Sequence, residues 1–122
     1  MRRSSLIARL VTLAVAACAG SAAAHAILVR SSLADAPVRP DVPTAVTLRF
    51  NAGIEVKLSR VVLLNARHAE QPLAVGPGAQ AGEMVVQVPA LGPGSYGLKY
   101  RVMAADGHLT DGTVRFTIAA AR

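Results

Sequence analysis

The chain has no tryptophan, and only two tyrosines and two phenylalanines among its 122 residues. Faces that stack on bases or sugar rings need aromatic platforms, so this scarcity argues against a nucleic-acid or polysaccharide surface. Cysteine occurs once, as Cys18, inside an apolar N-terminal segment. The rest of the chain therefore has neither a disulfide nor a thiolate, which excludes zinc-finger, iron–sulfur and thiol-redox chemistry. Long hydrophobic runs are missing too. The uncharged stretch from Leu10 to Gly20 falls well short of the roughly 20 residues needed to span a membrane. Clustered positive charge is also absent. The formal net charge is +6, but Arg2, Arg3 and Arg9 precede or flank that stretch, and the remaining basic residues are scattered singly. Such a pattern reads as a solvated surface.

What is present begins with an export signal. Met1-Arg2-Arg3 opens a positive segment, Leu10 to Gly20 supplies an apolar core, and Ala22-Ala23-Ala24 is an A-x-A site with cleavage expected before His25. Residues 1–24 then form a signal peptide and 25–122 a single domain. Val15-Ala16-Ala17-Cys18 is a competing lipoprotein box that would make Cys18 the anchored N-terminus. In the cleaved form His25 becomes residue one.

After His25 the apolar period is two, the mark of strands with one buried face. Thr44–Phe50 puts Val46, Leu48 and Phe50 on one side. Tyr96, Leu98, Tyr100 and Val102 alternate likewise, as do Val114, Phe116 and Ile118, and Met84, Val86 and Val88 within Glu83–Val88. Further strands are expected over Glu55–Leu64 and near Ile27–Ser31. Ala36-Pro37, Asn51-Ala52-Gly53, Gly76-Pro77-Gly78 and Gly92-Pro93-Gly94 read as turns, and Ala69–Gly82 as a flexible loop. About seven short strands broken by Gly and Pro predict an all-β immunoglobulin-like Greek-key sandwich. Tyr96, following the Gly92–Gly94 turn, suits either a tyrosine corner or an ordinary core aromatic.

Chemistry concentrates at Asp106-Gly107-His108. On extended backbone, residues two apart project to one side, so a carboxylate and an imidazole could reach one ion across Gly107. Alone, such a triplet is weak, and a turn with an exposed histidine is the better reading of it. His25 adds weight to the metal reading. As residue one it offers an α-amine and an imidazole that can chelate together, and that amine loses its proton far more readily than a lysine does. With His108 the set reaches three nitrogens, with Asp106 as an oxygen donor. Tetragonal nitrogen and oxygen ligation favours copper(II), with zinc as competitor. His68 reads as an unpaired turn histidine and Met84 as core; Met103 carries no assignment.

The mature start His25-Ala26, Leu48-Arg49-Phe50, Leu91-Gly92-Pro93-Gly94-Ser95-Tyr96, Tyr100-Arg101-Val102 and Ala105-Asp106-Gly107-His108 with Gly112 and Phe116 resemble the CopC family of periplasmic copper-binding proteins. The resemblance covers residues 25 to 118. It implies a cupredoxin-like or immunoglobulin-like β-sandwich whose copper(II) ligands are His25, Asp106 and His108. It also implies a non-enzymatic, monomeric periplasmic copper carrier or buffer in copper homeostasis, exchanging the ion with a CopD-type inner-membrane copper transporter. Some members carry a Met-rich loop that binds copper(I) through soft thioethers. Here residues 66–82 contain no methionine, so no second, copper(I) site is expected. Two other classes remain open on the residues alone: a copper-brace oxidase or monooxygenase, which would need an aromatic substrate platform, and a metal-free sandwich that binds protein.

Overall fold

The structure, a computed structural model, describes residues 25–121, so the expected leader and the alternative lipidation at Cys18 lie outside the described residues. No helix among the described residues is long and apolar enough to cross a membrane. The described residues form eight strands: β1 (Leu28–Ser31), β2 (Thr44–Phe50), β3 (Ile54–Leu64), β4 (Glu70–Leu73), β5 (Val75–Pro77), β6 (Glu83–Val88), β7 (Gly94–Ala104) and β8 (Leu109–Ile118). Among the described residues a single 3-10 turn, Ser32–Ala34, interrupts them after β1. Two antiparallel four-stranded sheets result, ordered β1-β2-β6-β5 and β4-β3-β7-β8, so the chain is an all-β sandwich.

Period-two patterning explains the layers. In β2, Val46, Leu48 and Phe50 are buried while Ala45 and Arg49 face water. In β6 the inward set is Met84, Val86 and Val88, and in β7 it is Leu98, Tyr100, Val102 and Ala104. Burying these side chains between facing sheets is the main favourable term in folding. Met84 is fully buried, as its phase predicts. Phe50 and Tyr100 meet edge to face across the core, ring centroids 5.4 Å apart. Tyr100 stands opposite Gly112 on β8, and a Cβ at Gly112 would fall on the tyrosine ring. Glycine at that position leaves room for a large cross-strand aromatic.

Tyr96 does make the corner bond: its hydroxyl donates to the Gly92 carbonyl at 2.8 Å, while its ring stacks on Phe116. The expected flexible loop over Ala69–Gly82 is instead largely ordered. It holds β4, paired with β3, and β5, paired with β6. Both are edge strands, which is where Pro72 and Pro77 are tolerated despite lacking an amide proton.

Two irregularities position the functional end of the sandwich. Between Leu28 and Arg30 the β1–β2 register slips, leaving Val29 as an extra residue that bulges outward. The bulge flips the phase of the strand, so Ala26 and Leu28 point inward ahead of it and His25 and Ile27 outward. Between Glu55 and Arg60 the β3–β7 register slips as well. There Ser59 fills the gap, its hydroxyl donating to the Glu55 carbonyl at 2.8 Å and accepting from the Met103 amide at 3.0 Å.

Candidate metal centre

The β7–β8 connection builds one half of the site. The Gly107 amide donates to the Ala104 carbonyl at 2.9 Å, and the Ala104 amide to the His108 carbonyl at 2.8 Å, closing a tight turn. Gly107 has φ of 90°, a conformation that glycine adopts without steric cost. The backbone is thus not extended across Asp106-Gly107-His108, and the pleat does not align the two side chains as the sequence predicts. A local bond does so instead. One oxygen of Asp106 accepts from the His108 amide at 3.0 Å, the turn-capping bond that aspartate makes two residues on. The second carboxylate oxygen lies 3.0 Å from Nδ1 of the same histidine.

This double grip has an electrostatic consequence. The ring and amide bonds to His108, assisted by the nearby His108 and His25 rings, lower the Asp106 pKa below the ordinary carboxylate value. At neutral pH Asp106 is therefore a carboxylate. With Nδ1 engaged by that carboxylate, Nε2 is the ring nitrogen of His108 left for an ion.

The other half is the N-terminal arm. Ala26 is completely buried, which anchors the chain one residue from His25 and leaves the His25 ring in solvent. That ring lies 5.7 Å from the His108 ring, centroid to centroid, at 64°. His25, 83 positions earlier in sequence, is thereby brought to the Asp106–His108 loop. Among the described residues no three His, Cys, Asp or Glu side chains close around one point. The fourth donor of the expected set is a main-chain amine rather than a side chain.

The remaining candidates lie elsewhere. His68, at φ 59°, sits in the β3–β4 turn. Leu64, just before that turn, pairs with Gly97, so His68 stands at the far end of the sheet from His108. Met103 is half-buried on the outer face of β7, its amide tied to Ser59. Sequence reasoning missed Asn51. Its side-chain oxygen accepts from the Ile27 amide at 2.8 Å and its own amide donates to the Ile27 carbonyl at 2.9 Å. The sole signal was its place in a turn after β2.

Known proteins share this fold. The family model described as the CopC domain matches residues 28–119, a stretch that holds Asp106 and His108 and stops just short of His25. Among solved structures, CopC from Methylosinus trichosporium OB3b is 30% identical with a TM-score of 0.66, the match covering 80% of this chain and 97% of that one. PcoC, a methionine-rich copper resistance protein from Escherichia coli, is 27% identical with a TM-score of 0.57, covering 78% of this chain and 99% of that one. No curated protein sequence matches the chain. A family match over most of the chain, on a sandwich of the same fold, means that this chain belongs to the CopC family.

Proposed function

We propose that this protein binds one copper(II) ion in the periplasm and serves copper homeostasis as a non-enzymatic carrier or buffer. His25, Asp106 and His108 are its ligand residues. It exchanges the ion with an inner-membrane transporter of the CopD type. The observation that carries this reading is the His25–His108 juxtaposition, 5.7 Å between ring centroids, beside an ionised Asp106. Two imidazoles, an α-amine and a carboxylate form a nitrogen-rich, hard-to-borderline donor set, which copper(II) prefers over softer sites and binds more tightly than other divalent first-row ions. Likeness to PcoC, a copper resistance protein, supports the same cargo.

Exchange suits the surroundings. His25, Asp106 and His108 are all exposed at one end of the sandwich, so the ion can enter and leave without opening the core. The test is a copper(II) titration of exported protein whose N-terminus has been verified by intact mass. One equivalent should bind and give a type 2 electron paramagnetic resonance spectrum with nitrogen couplings. Absence of stoichiometric binding, or an intense blue charge-transfer band, overturns the reading, because a blue centre needs a thiolate that residues 25–122 lack.

A further inference from the structure

We infer that Asn51 is a positioning residue for the N-terminal ligand, and that the turn from Asn51 to Gly53 sets the separation of the two halves of the copper site. This rests on the copper(II) reading above. β2 ends at Phe50, which pairs with Leu28, and one step further the ladder would need Asn51 to keep bonding to Ile27. It does, but with a substitution. The Ile27 amide donates to the Asn51 side-chain oxygen at 2.8 Å, where a continued ladder would offer a main-chain carbonyl. The reciprocal bond, Asn51 amide to Ile27 carbonyl, is kept at 2.9 Å. Asn51 thus extends β1–β2 pairing toward His25 while its own backbone turns away into the connection to β3.

Two residues later the same turn holds the other half. The Ala105 amide donates to the Gly53 carbonyl at 2.9 Å, immediately before Asp106. One short segment therefore fixes Ile27, two residues from the first ligand, and Ala105, one residue from the second. The turn is itself braced from the neighbouring strand connection, since the Phe50 amide donates to the Gly82 carbonyl at 2.8 Å and the Ile54 amide to the Ala81 carbonyl at 3.2 Å. Asn51 is exposed, and a solvated hydrogen bond of this kind adds little to global stability. Ala26 plugs the core and holds the arm in place. What the Asn51 clamp adds is direction, so that His25 leaves the sheet toward His108 and does not swing freely.

Such an indirect role predicts a graded loss. In the copper-free protein, Asn51→Ala should speed hydrogen exchange at the Ile27 amide. In the loaded protein it should weaken copper(II) by about tenfold, the scale of losing a group that orients a ligand. Asn51→Asp keeps an acceptor oxygen at the same place and should restore both readouts. The deciding comparison adds one residue before His25 and also carries His25→Ala, which together remove the amine and the imidazole of the arm. In that background Asn51→Ala should no longer matter, because the arm it orients carries no ligand. An equal loss in both backgrounds would show that Asn51 supports the fold generally and overturn the inference. So would unchanged affinity of Asn51→Ala in a protein that otherwise binds copper, which would leave the copper reading standing. If the unaltered protein binds no copper, the functional reading falls and the inference with it.

Discussion

Both carboxylate oxygens of Asp106 are committed to His108, one to its main-chain amide and one to its ring Nδ1, each at 3.0 Å. The aspartate therefore shapes the turn and orients the imidazole whether or not it also touches an ion. Asp106→Asn separates these roles. An amide oxygen can still accept from the His108 amide, but the negative charge is gone. Copper(II) affinity should fall at least about tenfold with the circular dichroism spectrum unchanged, as for other groups that fix a metal-binding histidine. Undiminished affinity in a competition titration would remove Asp106 from the site.

Gly112 answers a packing question. Because a Cβ there would meet the Tyr100 ring, Gly112→Ala must displace that ring, which packs edge to face on Phe50. Overpacking of this sort costs about 1–3 kcal/mol, read as a lower urea midpoint at unchanged m. Copper(II) binding should persist, since the clash lies within the core and not at the loop. A variant as stable as the parent would mean the ring has another resting place.

Tyr100 also gives the pH dependence. Burial disfavours the phenolate and raises its pKa above the ordinary value of 10.0. The folded-state value exceeds the unfolded one, so the stabilising contribution is complete below pH 10 and is lost as pH rises through the folded value. Urea midpoints should hold up to about pH 10 and decline beyond it. Tyr100→Phe should flatten that decline; an identical decline in the variant would assign it to other groups.

Soft ligands near the site are few. Met84 is sealed in the core and Met103 is half-buried on the outer face of β7, so neither resembles a thioether cluster for copper(I). Ascorbate reduction should therefore release the metal to a copper(I) chelator. Retention of reduced copper would reveal a thioether site, with Met103→Leu the variant to abolish it.

Strands with strict alternation were readable in the residues. β2 and β6 begin and end where the pattern does, because each buries one face completely and a one-residue slip would expose it. β4 and β5 were not readable. Glu70-Gln71-Pro72-Leu73 and Val75-Gly76-Pro77 have little intrinsic strand character and are held by pairing with β3 and β6. The pairing of Asp106 with His108 was legible in the residues, yet the way it is made was not. Pleat geometry was the expectation, and the local capping bond of Asp106 decided the outcome. Asn51 was hidden for a related reason: its bonds to Ile27 exist only once β1 and β2 have paired.

The remaining prediction tests the amine ligand. His25 is valuable to copper mainly if it is first, because only then do an amine and an imidazole share one residue. Placing one Gly before it moves the free amine away and leaves an amide nitrogen, a poor donor at neutral pH. The structure makes this substitution clean. Ala26 stays buried and Ile27 stays clamped to Asn51, so the arm keeps its place while the His25 ring still points into solvent near His108. The donor set should drop from three nitrogens and a carboxylate to two imidazoles and a carboxylate, with a loss of at least about tenfold in copper(II) affinity. The nitrogen couplings in the electron paramagnetic resonance spectrum should simplify in parallel. His108→Ala should weaken binding independently, and circular dichroism should be the same for all three proteins, since the residue 25 side chain lies outside the core. An extended protein that binds copper as tightly as the authentic one would rule out N-terminal chelation and leave His108, Asp106 and the His25 ring as the whole of the site.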